Sequence, residues 1–457
     1  MATFFFCGIG GIGMSAIALC LRQAGHTVLG SDRSFDRGEN NVVRQLLAKA
    51  GIQLFPQDGS GVSSIVNTVV VSTAVEESIP DVRAARNVGI PIRRRAEILA
   101  DILHIHTGIA VGGTSGKTTI TAMIGHILYE TGHNPLMVNG GISVNTYHGR
   151  PASNVILGNG NVCVAEADES DGSIDLYTPA VALVSNVSLD HKPIPEIIPL
   201  FESFLNRASL AGVVNADDAL IKQMHISQPK LVSFSVSGGP ADFRATDIQI
   251  HPAGISFCVN GEAAHLNMIG LHNVENALAA IAVCSVVGVS VADSVRALAS
   301  FQGTGRRMQI VGTANGVTVY DDYAHNPAKI QAALRALKSY EGRIFAVFQP
   351  HGFAPTRLMK DTLIQMLLEE LNGQVEWIMP DIYYAGGTTV KDISSHDIVL
   401  PLQQAGKKAY YLPTRSEIVS FLTEHAVSGD RIVIMGGRDN TLTQLAETIV
   451  QSIGEQK

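Results

Sequence analysis

The chain has 457 residues, 46% hydrophobic and 16% charged, with 41 acidic against 33 basic side chains and a formal net charge of −8. That length exceeds what a single core fills and predicts two to four domains, while the composition and charge exclude a disordered chain and argue against a general nucleic-acid binder. Five cysteines (Cys7, Cys20, Cys163, Cys258, Cys284) never form a Cys-x-x-Cys pair, so neither a disulfide framework nor a zinc site is indicated.

The chain opens directly on an apolar run, Phe4–Cys7, without the charged leader and cleavage site of an exported protein, which predicts a cytoplasmic location. Gly8, Gly10, Gly11 and Gly13 follow before a helical pattern, and Asp32 comes after a second strand at Thr27–Gly30. This is a dinucleotide-type fingerprint: glycines let a diphosphate approach the first helix and an acid is placed near a ribose. A nicotinamide dehydrogenase is its competing reading. Helices over 42–50 and 80–88 alternating with a strand over 68–72 indicate a doubly wound sheet. Arg93, Arg94 and Arg95 open the next helix, either as phosphate ligands or as a solvated helix start.

A second anion-binding turn follows, of different design. The strand-like run from Ile109 ends in Gly113-Thr114-Ser115-Gly116-Lys117-Thr118-Thr119 and a helix begins. Gly113 and Gly116 turn backbone N–H groups toward a phosphate, Lys117 supplies a point charge and the Thr118 hydroxyl suits magnesium. Val111 stands where the usual spacing has a glycine, so the loop is a short variant. The strand 161–165 runs into Glu166, Asp168, Glu169 and Asp171, acids placed to hold magnesium at a strand's C-terminal edge. A further strand, 181–186, brings His191 toward the same edge. Short strand patterns over 229–268 predict a small β appendage, and the uncharged run 277–292 a core helix too short to span a membrane. Asn273 and Asn276 share a face near that helix's start, where an amide touches a base or ribose or simply caps the helix. Beyond the glycine joint at 303–305, Arg306 and Arg307 could reach a phosphate, and Asp321, Tyr323, His325, His351 and the 436–439 turn sit at the ends of strands.

As an ordered set, these motifs closely resemble the Mur ligases of peptidoglycan synthesis across essentially the whole chain. The resemblance implies an α/β architecture in three domains. A Rossmann-like domain over 1–106 binds UDP-sugar through Gly8, Gly10, Gly11, Gly13 and Asp32. A P-loop ATPase-like domain over 107–304 binds ATP through Gly113–Thr119, Asn273 and Asn276, and a Rossmann-like domain over 305–457 takes the amino acid. It further implies that Lys117, Glu166 and His191 are catalytic, that Thr118, Glu166 and His191 hold Mg2+, and that Arg306 and Asp321 meet the nucleotide. Tyr323 and His351 face the incoming amine. The implied reaction joins the lactyl carboxylate of UDP-N-acetylmuramate to L-alanine through an acyl phosphate, with murein tripeptide as the alternative acceptor. The partners are small molecules, with no nucleic acid or membrane, and the chain is a monomer or homodimer. Three departures stand out: Ser115 replaces the family's usual histidine, Gly436-Gly-Arg-Asp439 replaces an expected Gly-Ala-Gly, and Gly352 and Pro355 occupy a stretch where the alanine-adding members carry two arginines. Arg357 or Arg438 would then have to take the acceptor's carboxylate.

Overall fold

The computed structural model describes residues 1–73, 75–149, 153–169, 172–188, 193–251, 254–384, 390–437, 439 and 441–455. The chain divides into two compact units, one of Met1–Gln249, Ser256–Asn267 and Val274–Gln302, the other of Ile250–Ile255, Met268–Asn273 and Gly303–Lys457.

The first unit begins with strands β1 (Thr3–Cys7), β2 (Thr27–Ser31), β3 (Gln53–Phe55), β4 (Thr68–Val71) and β5 (Ile92–Arg94), all parallel in the order β3-β2-β1-β4-β5. Helices α1 (Ile12–Gln23), α2 (Arg33–Asp36), α3 (Asn41–Lys49), α4 (Pro80–Val88) and α5 (Arg95–His104) make the connections. Local chemistry sets their ends. Pro80 starts α4 at a position where its missing N–H costs nothing, and Gly89 at φ 76° ends it. The strand order reverses beside β1, so the loop after β1 opens at the point where such sheets bind ligands.

The same unit continues with β6 (Thr107–Gly112), α6 (Lys117–Glu130), β7 (Leu136–Val138), β8 (Val155–Leu157), β9 (Val162–Glu166), α7 (Ser173–Leu176) and β10 (Val181–Val184). Then come α8 (Ile194–Asn206), β11 (Ala211–Asn215), β12 (Leu231–Ser235), β13 (Phe243–His251), β14 (Gly254–Val259), β15 (Glu262–Leu266), α9 (His272–Val286) and α10 (Val291–Leu298). The sheet order is β15-β14-β13-β12-β11-β10-β6-β9-β7-β8. The strands over 229–268 are therefore not an appendage. β12 pairs in parallel with β11 from Gly212↔Leu231 to Asn215↔Phe234, which satisfies what would otherwise be an open row of backbone donors and acceptors. The two sheets share one core: Phe6, Ile17, Ile98 and Leu103 lie in the same apolar cluster as Ala110, Val138, Cys163 and Phe204.

The second unit is built on β16 (Gln309–Ala314), β17 (Val317–Asp322), α11 (Pro327–Lys338), β18 (Ile344–Phe348), α12 (Phe353–Glu370) and β19 (Val375–Met379). It ends with α13 (His396–Gln404), β20 (Ala409–Tyr411), α14 (Arg415–His425), β21 (Arg431–Met435) and α15 (Leu442–Glu455), and its sheet order is β16-β17-β21-β18-β19-β20. Only β16 runs antiparallel. Asp322 and Phe348 are both in register with Met435, so the ends of β17, β18 and β21 meet at one edge.

Candidate active site

At the end of β1 the glycine loop is held from both sides. Gly8 and Ile9 donate to the Ser31 carbonyl (2.8 and 2.9 Å), and Gly10 donates to Asp32 Oδ2 (2.8 Å). The other Asp32 oxygen accepts from the Ser34 amide and hydroxyl (2.9 and 2.6 Å), so Asp32 ties the loop to the start of α2. A Cβ on Gly10 would stand 2.9 Å from both Asp32 and Phe35, which is why the position carries none. Gly11 precedes α1 without a side-chain cap, leaving the helix's positive end to an anion. Of the three consecutive arginines only Arg95 comes here: a Cβ on Gly13 would collide with its guanidinium. Arg93 instead pairs with Asp101 at 2.7 Å.

The phosphate loop leaves β6 and enters α6 at Lys117, three residues ahead of the apolar pattern at Ile120, because Gly116 adopts φ 86° and starts the turn. Gly113, at φ 124°, packs so tightly on Ser185 that no side chain fits. Asn186 braces the loop by accepting from the Ser115 amide and donating to the Ser115 carbonyl, both at 2.9 Å. Thr114 exchanges hydrogen bonds with the Ser188 backbone. Lys117 Nζ donates to the Gly113 carbonyl (2.7 Å) and to Glu169 Oε2 (2.8 Å). Thr118 Oγ1 donates to Glu166 Oε2 (3.2 Å), and Thr119 is buried in the same first turn. Asn276 reaches this loop, its Oδ1 lying 2.6 Å from where a Gly116 Cβ would stand. Asn273 is also buried, and its side-chain amide donates to the Ile269 carbonyl at 2.7 Å while its backbone N–H donates to the Gly270 carbonyl.

Hydrogen bonds join the two glycine turns. Asn154 Nδ2 donates to the Ile12 carbonyl in the first turn of α1 (2.9 Å) and to the Asn139 carbonyl (3.2 Å), and Asn139 N donates back to the Asn154 carbonyl (2.8 Å). The next residue, Gly140, donates its amide to Glu166 Oε1 at 2.6 Å. Asn154 escaped the sequence reading because an isolated asparagine carries no spacing signal. The Asn139-Gly140 pair gives no sign in the sequence of its part as the connector.

In the second unit, Arg306 and Asp321 pair at 3.3 Å while the same guanidinium donates to the Gly436 and Gly437 carbonyls (2.6 and 3.1 Å). Burial lifts the Asp321 carboxyl above its ordinary range, and Arg306 and the Thr443 hydroxyl pull it back. Tyr323 lies under both guanidiniums, 5.2 Å from Arg306 and 5.0 Å from Arg307. The His325 ring stands edge-on between Tyr323 and His351, with centroids 5.4 and 5.7 Å away. This edge thus gathers Arg306, Asp321, Tyr323, His325 and His351. Arg357, in the first turns of α12, is turned to the Asp392 carboxylate and the Val390 carbonyl. Asp171, His191 and Arg438 lie outside the described residues. Among the described residues no group of three or more His, Cys, Asp and Glu side chains is arranged to hold a metal, and no helix is long and apolar enough to cross a membrane.

Three family models match the chain in succession: Mur ligase family, catalytic domain, over residues 3–107; Mur ligase middle domain over 111–284; and Mur ligase, glutamate ligase domain, over 306–438. A UDP-N-acetylmuramate–L-alanine ligase of a Sulfurihydrogenibium species is 34% identical over 99% of this chain and 98% of its own length. One from Nitrobacter winogradskyi is 36% identical over 95% of each. Among solved structures, the UDP-N-acetylmuramate–alanine ligase of Thermotoga maritima superposes with a TM-score of 0.79 at 27% identity, covering 100% of both chains. The murein peptide ligase of Psychrobacter arcticus shares the fold, with a TM-score of 0.67 at 24% identity and 100% coverage of both chains. These matches define an enzyme of the ligase class. The chain belongs to the Mur ligase family. The dehydrogenase reading of Gly8–Gly13 falls with that membership, since it leaves Gly113–Thr119 without a purpose.

Proposed function

We propose that this chain is an ATP-dependent, ADP-forming ligase that joins the lactyl carboxylate of UDP-N-acetylmuramate to L-alanine in cytoplasmic peptidoglycan precursor synthesis. The observation that carries the reading is the hydrogen-bonded path from Ile12 through Asn154, Asn139 and Gly140 to Glu166, which ties an anion-binding helix start to the phosphate loop within one unit. The relatives named for that reaction support the choice of substrates. We assign residues 1–106 to the UDP-sugar, 107–304 to ATP and 305–457 to the acceptor.

Gly8, Gly10, Gly11, Gly13 and Asp32 shape the diphosphate loop, and Arg95 adds the positive charge beside it. Gly113–Thr119 cradle the triphosphate with Asn276 beside them, and the family resemblance also assigns Asn273, Arg306 and Asp321 to the nucleotide. The lactyl carboxylate attacks the γ-phosphorus; the bond to the β–γ bridging oxygen breaks, leaving ADP and an acyl phosphate. The amine of the acceptor, facing Tyr323 and His351, then attacks the acyl carbon, loses a proton and expels phosphate. Both steps gather negative charge, which Lys117 offsets from a fixed position. Thr118 Oγ1 and Glu166 Oε2, 3.2 Å apart, are hard oxygen donors that fit Mg2+, with His191 as the family's third ligand. Bound there, the ion would supply Lewis-acid charge to the phosphate oxygens.

One observation favours a different acceptor: Gly352 and Pro355 occupy the stretch that holds two arginines in the alanine-adding members, and Arg357 is turned to Asp392. The test is phosphate release from ATP with Mg2+ and UDP-N-acetylmuramate, adding L-alanine, glycine, L-serine or murein tripeptide singly. Stimulation by L-alanine is expected, with the L-alanine KM unchanged in Arg357→Ala because that guanidinium is engaged by Asp392. Stimulation by tripeptide alone would move the chain to the recycling reaction.

A further inference from the structure

Glu169 is not among the residues to which the proposed reaction gives a part. Its side chain is 1% exposed, and it forms an ion pair with Lys117, itself 12% exposed. Only one of its oxygens is used: Oε2 accepts from Lys117 Nζ at 2.8 Å, whereas Oε1 is buried with no hydrogen-bond partner among the described residues. A buried carboxylate oxygen left without a donor is destabilising. A buried ion pair is in addition weak evidence of stabilisation, since the cost of desolvating the two charges offsets much of their attraction. Stability therefore does not explain a half-satisfied anion set against the phosphate loop. An anionic acceptor also repels a triphosphate at short range, so a cation has to stand between the two. Lys117 screens one oxygen, and the other needs a second positive donor.

We propose that Glu169 is a positioning residue for the divalent cation, its Oε1 accepting from a cation-bound water while Oε2 holds Lys117. This inference rests on the assignment of ATP to the Gly113–Thr119 loop. It sets the cation between two carboxylates, Glu166 in direct contact and Glu169 through water, and makes nucleotide and metal binding interdependent. A carboxylate that repels the nucleotide without metal and attracts the metal leaves a signature of two opposite signs. A residue that merely supports the loop weakens binding under both conditions.

The experiment measures equilibrium ATP affinity of the full chain by titration calorimetry, in EDTA and at saturating Mg2+, for the wild type and Glu169→Gln. The wild type is expected to bind ATP more tightly with Mg2+. In Glu169→Gln the metal-free affinity should rise, and the enhancement by Mg2+ should fall roughly five- to tenfold. Glu169→Asp, which keeps the charge but withdraws it by one methylene, should retain wild-type metal-free affinity and lose part of the enhancement; it decides the question if the glutamine variant does not fold. Affinity lowered equally in EDTA and Mg2+, or unchanged in both, would overturn the role of Glu169. A wild type that binds no ATP at all would overturn the ATP assignment along with it.

Discussion

At the scale of single residues, the site depends on contacts in which one atom too many is disabling. Gly140 donates its amide to Glu166 Oε1 at 2.6 Å, and a Cβ there would lie 2.7 Å from that same oxygen. Gly140→Ala must therefore push the Glu166 carboxylate away from Thr118, and it is expected to lower kcat/KM by about 10–100-fold with a raised Mg2+ requirement. Steady-state rates across a magnesium series check this; wild-type values would show that Glu166 tolerates the shift. The sequence made the phosphate loop legible because its chemistry is local: two glycines, a lysine and a hydroxyl in one turn. It could not separate Arg93, Arg94 and Arg95, which look alike in a row. Strand and helix geometry send Arg93 to Asp101 and set Arg95 against Gly13.

At the scale of elements, α9 shows what sequence pattern conveys and what it omits. Val274, Ala277, Leu278 and Ile281 are fully buried, as an uncharged run suggests, yet the run 277–292 is not one helix. Gly288 at φ 95° breaks it, and α10 starts anew from Val291 with Ser290 as its cap. The start of α9 also half-buries an acid that pattern alone passed over. Burial, aided by the neighbouring Asp217 and Asp218 carboxylates, lifts Glu275 from an ordinary 4.5 to about 7. Between those values the folded chain keeps a proton that the unfolded chain has released, so this contribution to stability is full below 4.5 and is lost as pH rises through about 7. Glu275→Gln is accordingly expected to match the wild type's Tm in acid and exceed it above neutrality. Thermal melts from pH 4 to 9 decide the point; a Tm offset independent of pH would contradict the assigned titration.

At the scale of the whole molecule, alternating strands and helices made three α/β layers legible, but not their grouping. That the first two sheets share one core depends on Ile98, Leu99 and Leu103 meeting residues such as Ala110 and Phe204, contacts that no local pattern reveals. The same is true of the Asn154–Asn139 link, which connects the start of α1 to the strand edge beside the Gly113–Thr119 loop. The account's central claim is that these two loops deliver a carboxylate and a γ-phosphate to each other. It is tested most directly by running the reaction with UDP-N-acetylmuramate labelled with 18O in the lactyl carboxylate and weighing the phosphate released. Attack by that carboxylate on phosphorus, followed by expulsion of phosphate by the amine, transfers one labelled oxygen into each phosphate. Unlabelled phosphate formed alongside the amide product would contradict the acyl-phosphate route and with it the function assigned to the paired loops.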